Sequence, residues 1–106
     1  MHKQLLSQNM SSLSTKQIAE IQAIAIEDFL RKHPSLITVA FDAGNKFMDG
    51  NEIAIYVSFH KKEADLEEKL RIIRDNMRRF WDVTEYNQKV IDSILLVIAE
   101  YKKIMF

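Results

Sequence analysis

The chain has 106 residues, of which 47% are hydrophobic and 28% are charged, and it contains only two glycines and one proline. This balance is typical of a globular domain and excludes a linker or a low-complexity chain. Fifteen basic and fifteen acidic side chains cancel at neutral pH, so no global electric field attracts the protein to nucleic acid or to an anionic membrane.

The chain contains no cysteine, which removes disulfide and thiolate chemistry and favours a reducing compartment. Residues 1–12 are mostly polar, with one Leu5-Leu6 pair, and they lack the apolar run of a signal peptide or a membrane span. We therefore expect a cytoplasmic protein without membrane association. Residues 1–12 are predicted to form a flexible segment and residues 13–106 a single domain.

A first helix is predicted to begin at Ser14. Ser14 and Gln17 have the spacing of a capping box, in which each side chain accepts a hydrogen bond from the other residue's backbone N–H. Apolar residues follow at helical spacing up to Phe29. Pro34 ends the helix because it has no N–H and disfavours the helical conformation of His33.

The hydrophobic period then changes from about 3.6 residues to 2. Two strands are predicted, with Ile37, Val39 and Phe41 on the apolar face of the first and Ile53, Ile55, Val57 and Phe59 on that of the second. The dipeptides Gly44-Asn45 and Asp49-Gly50 between them are typical of turns. The pattern therefore predicts an antiparallel hairpin.

A second helix is predicted from about Lys62 to Trp81, with an apolar stripe formed by Leu66, Leu70, Ile73, Met77 and Phe80. A third helix is predicted from an N-cap at Asp82 or Thr84 toward Lys103, and apolar residues fill close to half of its circumference. Two large apolar residues fall outside these apolar arcs, Leu96 on the third helix and Ile24 on the first. Their exposure to water would be unfavourable.

The predicted fold is therefore α+β in the order α-β-β-α-α, with the helices packed on one face of a small sheet. A two-stranded sheet has two unpaired edges, and the third helix has surplus apolar surface. Both features favour a homodimer through the third helix, the sheet edge or both, and the helix residues at this interface would be Ile91, Leu95, Ile98, Tyr101 and Met105. The alternatives are a third strand from the Leu5-Leu6 segment, sheet edges blunted by charge, which is disfavoured because neither strand has a charge in its middle, and a monomer whose three helices share one face of the hairpin and bury the excess against each other.

The histidines, carboxylates and hydroxyl residues form no recognisable catalytic or metal-binding pattern. His2, His33 and His60 include no pair at ligand spacing, which argues against a metal site. His60 lies near Glu63 and Asp65, a combination that is available to acid-base catalysis but more typical of a solvated helix start. No nucleophile motif surrounds a serine or threonine. We expect a protein that is not an enzyme and uses no cofactor.

Two groups of residues are candidates for binding a partner. Phe47 and Met48 lie on the predicted loop between the strands, where they either fold back onto the core or contact a partner. Arg71, Arg74 and Arg78 line one flank of the second helix beside Trp81, and arginine next to an aromatic ring suits phosphate contact and base stacking. Pairing with nearby carboxylates such as Glu67 and Asp75 explains the same charges without a ligand.

These observations favour a small non-enzymatic protein-interaction module of bacterial or phage type. Such a protein binds and blocks or adapts a macromolecular partner, as an immunity protein or a phage-type inhibitor does. The alternative hypothesis is an RNA- or DNA-binding accessory protein that uses the arginine flank of the second helix. We expect a protein partner and a homodimer ahead of nucleic acid.

Overall fold

The computed structural model of the protein describes residues 13–46, 53–78 and 84–106. Five α-helices lie within these ranges: α1 (Thr15–Lys32), α2 (Ile37–Asn45), α3 (Ile53–Phe59), α4 (Leu66–Arg78) and α5 (Thr84–Met105), with a 3₁₀ turn at Pro34–Leu36 before α2. The same ranges contain no strand. The predicted α+β class is therefore wrong, and this part of the chain is all-helical.

Helix α1 begins and ends where the sequence predicts. The backbone N–H of Gln17 donates to Oγ of Ser14 (3.1 Å), and the backbone N–H of Ser14 donates to Oε1 of Gln17 (2.8 Å). The predicted capping box is thus confirmed. At the other end His33 leaves the helical conformation, with φ −131° and ψ 69°, directly before Pro34.

The first predicted strand is helix α2. Pro34 occupies the first position of the 3₁₀ turn, where a missing N–H breaks no hydrogen bond, and α2 follows at once. The buried residues of α2 have the spacing of one helix face: Ile37, Ala40, Phe41 and Gly44. The three residues predicted on one face of the strand lie on two sides of this helix. Ile37 and Phe41 are buried, whereas Val39 is exposed.

The predicted turn at Gly44-Asn45 is wrong for the same reason. Both residues are helical, and no described glycine has a positive φ. Gly44 instead allows α2 to approach α5 closely, since a Cβ at this position would lie 3.0 Å from Cγ1 of Val90 and 3.3 Å from Cδ1 of Ile94. The second turn dipeptide, Asp49-Gly50, lies outside the described residues.

The second predicted strand is helix α3, which has seven residues. Phe59 at its end is fully buried and stacks on Phe41 of α2, with ring centroids 3.9 Å apart and ring planes 5° from parallel. Nζ of Lys69 lies 5.1 Å from the centroid of the Phe59 ring. The predicted completion of a sheet by dimerisation is therefore also wrong, because the described residues contain no sheet edge.

Helices α4 and α5 are close to the predicted second and third helices. α4 begins at Leu66 rather than near Lys62, because Asp65 caps it by accepting a hydrogen bond from the backbone N–H of Glu68 (2.8 Å). The predicted stripe residues Leu70, Ile73 and Met77 are buried. Phe80 and Trp81 lie outside the described residues. α5 begins at Thr84 and continues to Met105, two residues beyond Lys103.

Helix α2 packs against two of the long helices. It contacts α5 most extensively and also contacts α4, while α1 packs against both α4 and α5 and α3 packs against α4. One core joins these helices, and its largest fully buried side chains include Leu30, Phe41, Phe59, Leu70, Ile73, Met77, Ile91 and Ile94. The outer side of α5 and the neighbouring side of α2 remain outside this core.

Candidate protein-interaction surface

The residues predicted for a dimer interface divide between the core and the surface. Ile91 and Ile98 are buried within the single chain, and Leu95 is half-buried against the same core. Tyr101 is half-buried, whereas Met105 is exposed. In this conformation a partner can therefore contact the end of α5 but not Ile91 or Ile98.

The exposed apolar surface of α5 lies beside α2. We name it the α5 apolar patch and define it by five side chains with these exposed fractions: Val39 52%, Leu96 64%, Ile104 81%, Met105 60% and Phe106 83%. A groove of about 530 Å³ runs through it, lined by Ser35, Leu36, Val39, Leu96, Val97, Glu100, Tyr101, Ile104 and Met105. Side chains of this size at such exposure are unfavourable in water unless a partner covers them.

An aromatic cluster fixes the end of α5 against α1. Nδ1 of His33 and the hydroxyl oxygen of Tyr101 are 3.3 Å apart. The Tyr101 ring meets the Phe29 ring edge-on with centroids 6.1 Å apart, and the Phe106 ring lies edge-on to the His33 ring at the same distance. Nζ of Lys102 lies 5.0 Å from the Phe29 centroid. The groove wall formed by Tyr101 is thus held by contacts within the chain.

This part of α5 carries charges of both signs. Glu100 is followed by Lys102 and Lys103, and Nζ of Lys103 lies 3.4 Å from Oε1 of Glu100. Both partners of that ion pair are well exposed, so solvent screening leaves it weak. A second molecule can therefore reach these charges.

Helix α1 carries another set of exposed apolar side chains, Ile18, Ile21 and Ile24. The cavity beside Ile21 is lined by Leu13 and otherwise by polar or charged side chains, namely Ser14, Lys16, Gln17 and Glu20. The α5 apolar patch differs because two helices and the 3₁₀ turn contribute to an almost wholly apolar groove. We therefore take the α5 apolar patch as the stronger candidate.

The arginine flank predicted on α4 is engaged in ion pairs with carboxylates. Arg71 pairs with Glu68 (2.7 Å) and Asp75 (3.2 Å), both on its own helix, while Arg74 and Arg78 pair across the helix interface. Their respective partners on α1 are Glu27 and Glu20, the latter at 2.6 Å. Arg74 and Arg78 join α4 to α1, and Arg71 is paired within α4, which gives all three charges a structural explanation. The aromatic neighbour, Trp81, lies outside the described residues.

Glu27 is the centre of the ion-pair network between α1 and α4. Its carboxylate accepts hydrogen bonds from Arg74, one of them 2.9 Å long, and from Arg31 (3.2 Å). Arg31 also donates to both carboxylate oxygens of Glu67 at 3.0 and 3.1 Å. The hydrogen bond from Arg74 lowers the pKa of Glu27 below its ordinary value, and its effect outweighs the opposing desolvation of the carboxylate.

The other predicted site residues form no catalytic arrangement in the described part of the chain. His60 and Glu63 are both exposed, and the imidazole lies against the rings of Tyr56 and Phe59. No group of three or more potential metal ligands occurs within the described ranges. Phe47 and Met48, the predicted loop contacts, lie outside the described residues.

A second cavity, of about 350 Å³, lies between α3 and α4. Its polar lining residues are Ser58, Arg71, Asp75 and the buried Asn76. Arg71 and Asp75 are already paired with each other at 3.2 Å. This lining can hydrogen-bond a small polar group, but its described residues include no histidine or other neutral base for the Ser58 hydroxyl.

Comparison of the chain with protein-family models, with curated proteins and with solved structures gave no match. None of the described helices is both long and apolar enough to cross a lipid bilayer. The functional proposal therefore rests on the surfaces and side chains of this chain alone.

Proposed function

We propose that the protein is a small, non-enzymatic, cytoplasmic protein-interaction module that binds another polypeptide through the α5 apolar patch. The supporting observation is the exposure of four large apolar side chains around one groove, Val39, Leu96, Ile104 and Met105. Binding that covers this patch would block or adapt the partner, which is how immunity proteins and phage-type inhibitors act.

The size of the patch supports this role. The exposed fractions of Val39, Leu96, Ile104 and Met105 correspond to an area on the order of 500 Å², which is comparable to the roughly 300–600 Å² of the largest apolar patch on a typical monomer, a patch that is often functional. Transfer of such an area from water supplies a hydrophobic driving force that offsets the cost of association. The groove also provides a concave apolar site that a protruding side chain of a partner can fill.

The arrangement of the patch favours protein over nucleic acid as the partner. Its surface is apolar, with one acidic and two basic side chains along α5, whereas a nucleic-acid surface needs a cluster of unpaired cations to contact phosphates. The arginines of α4 already pair with carboxylates. A phosphate would have to displace these carboxylates, and at Arg74 and Arg78 the ion pairs between α4 and α1 would be lost.

Site-specific photocrosslinking tests the proposal. A photoreactive amino acid replaces Ile104 in the patch or, as the control on the same helix, the exposed Asp92 outside it. After irradiation in the cells that produce the protein, we expect position 104 to form a discrete covalent adduct with a polypeptide, identifiable by mass spectrometry, and position 92 to form none.

A second substitution connects the adduct to the patch. Leu96→Glu places a charge in the groove without removing buried volume, and it should abolish the adduct from position 104. The proposal is refuted if position 104 gives no polypeptide adduct, if positions 104 and 92 give the same adducts, or if Leu96→Glu leaves the adduct unchanged.

A further inference from the structure

We propose that the cavity between α3 and α4 binds a small neutral molecule that carries an amide edge on an apolar ring. We name it the Asn76 cavity, because the carboxamide of Asn76 is the group that would hold the ligand. The proposal goes beyond the protein-interaction role, since the cavity shares no described lining residue with the groove of the α5 apolar patch. The burial of Asn76, the arrangement of the lining and its charges support it.

Asn76 is a buried polar side chain that lacks a partner within the protein. Its exposed fraction is 2%, and its side chain has no hydrogen bond to another residue of the described ranges. Buried carboxamides are nearly always hydrogen-bonded, because leaving their donors and acceptor unsatisfied costs free energy. The side chain borders the cavity, so a molecule in the cavity can supply the missing partner.

Two rows of side chains on α4 give the cavity a charged mouth and a buried floor. Arg71 and Asp75 form one row, and their side chains are 51% and 61% exposed. Ile72 and Asn76 form the other row, and both are buried. Residues four apart lie on one helix face, so each row continues over one helical turn. A ligand that enters past the charged row therefore reaches an amide beside an apolar side chain.

Helix α3 supplies the opposite wall, which is mostly apolar. It contributes Ala54, the half-buried Ile55 and the hydroxyl of Ser58. Water alone would satisfy the carboxamide of Asn76, but it would gain nothing from Ile55 and Ile72. A ligand with an apolar ring covers these side chains as well. The volume of about 350 Å³ is within the range of small-molecule sites.

The charges at the mouth favour a neutral ligand. Arg71 donates to Asp75 at 3.2 Å and to Glu68 at 2.7 Å, so its guanidinium is already paired twice. The two charges of the described lining, those of Arg71 and Asp75, cancel. An anion would meet the carboxylates of Asp75 and Glu68, and a cation would meet Arg71. A neutral molecule avoids both repulsions.

The carboxamide of Asn76 selects the hydrogen-bonding edge of the ligand. It presents a carbonyl acceptor and an NH₂ donor side by side. An amide edge presents the same two groups in the reverse order, so both hydrogen bonds form at once, as when asparagine binds the edge of adenine. A carboxylate offers acceptors alone and an amidinium offers donors alone, so each would leave part of the Asn76 carboxamide unpaired.

A titration of the full chain followed by ¹H–¹⁵N correlation spectra tests the site. The probes are benzamide, benzoate and benzamidine, which share one ring and present an amide edge, two acceptors and two donors, respectively. Benzamide should shift the side-chain NH₂ signals of Asn76 and the backbone signals of Ile55 and Ile72. We expect a Kd on the order of 1 mM for so small a molecule. Benzoate and benzamidine should bind at least about tenfold more weakly.

A change of the amide at position 76 should reverse this preference. Asn76→Asp replaces the donor and acceptor by two acceptors, which match the two donors of an amidinium. Benzamidine should then bind at least about tenfold more tightly than benzamide at neutral pH. A purely structural role of Asn76 would not exchange one ligand preference for the other.

A matched pair of α3 variants keeps the test decisive if Asn76→Asp does not fold. Ala54 and Val57 are both exposed on α3; Ala54 borders the cavity, whereas Val57 is not among its described lining residues. Ala54→Phe narrows the cavity and should weaken benzamide binding at least about tenfold, and Val57→Phe should leave it unchanged. Circular dichroism of each variant establishes that its helices are intact.

Four results would each overturn the proposal. The first is an absence of shifts at Asn76 in the unaltered chain with about 10 mM benzamide. The second is binding of benzoate or benzamidine to the unaltered chain as tightly as benzamide. The others are a folded Asn76→Asp variant that still prefers benzamide, and equal affinities of Ala54→Phe and Val57→Phe for benzamide.

Discussion

Replacement of Gly44 by alanine tests the close contact between α2 and α5. The new Cβ would lie 3.0 Å from Cγ1 of Val90, which is fully buried and β-branched, so its χ1 is nearly fixed in a helix and the methyl group has little room to move. Overpacking of this kind costs about 1–3 kcal/mol. Removal of a helical glycine returns at most about 1 kcal/mol, and less near the end of α2. We expect a net destabilisation of about 1 kcal/mol.

A double-mutant cycle identifies the cause of this effect. Val90→Ala alone should cost about 1.5–3 kcal/mol through lost burial and a cavity. Alanine at position 44 would fill part of that cavity, so the double variant should be more stable than the sum of the single effects by about 1 kcal/mol or more. Urea unfolding followed by circular dichroism measures the four free energies. If the destabilisations of the two single variants simply add in the double variant, the reasoning is refuted. Such a result would mean that residue 44 does not contact Val90.

Three further predictions concern α1, α4 and α5. The stability contributed by Glu27 is present above about pH 4.5 and is lost as the pH falls through the lowered pKa of Glu27 in the folded state. In Glu27→Gln the free energy of unfolding, measured with urea at a series of pH values, should therefore fall less between pH 4.5 and lower pH than in the unaltered chain. At a protein concentration too low for association, Ile98→Ala should cost about 2–4 kcal/mol and Leu96→Ala less than about 0.5 kcal/mol, and equal costs would contradict the assigned faces of α5. Ser14→Ala should destabilise the protein by about 1 kcal/mol in thermal unfolding, because it removes the cap of α1, and an unchanged midpoint would contradict that role.

The three long helices could be predicted from the sequence because their signals are local. A capping box at Ser14, a proline at position 34 and a period of 3.6 residues place α1 without any knowledge of the tertiary structure. The predicted strands failed because apolar segments of only six or seven residues fit both the strand period and the helix period. Ile37 and Phe41 are alternate members of a strand pattern, and they are also four residues apart on one helix face. Packing against α5 stabilises the helical conformation of residues 37–45. That packing depends on the tertiary structure, so it could not be predicted from the local sequence.

The candidate surface was partly visible in the sequence. Leu96 lies outside the apolar arc of α5, and this departure from the pattern marks the patch. Val39 could not be assigned to it, because the strand interpretation placed Val39 on the buried face. The ion pairs of Arg74 with Glu27 and of Arg78 with Glu20 were also missed. They join residues that only the folded arrangement of α1 and α4 brings together, so no spacing rule along one helix predicts them.

The stack of Phe59 on Phe41 has a consequence for local opening of the molecule. Helix α3 is only seven residues long, and isolated helices shorter than about 12 residues are marginal in water. Among the α3 side chains that the structure describes, Phe59 alone is buried, with Ile55 half-buried beside it. Most of the burial that the structure describes for α3 therefore comes from Phe59, with a smaller part from Ile55. The backbone amides of α3 should exchange with deuterium faster than those of α2 and α4, through a sub-global unfolding event that leaves the other four helices assembled.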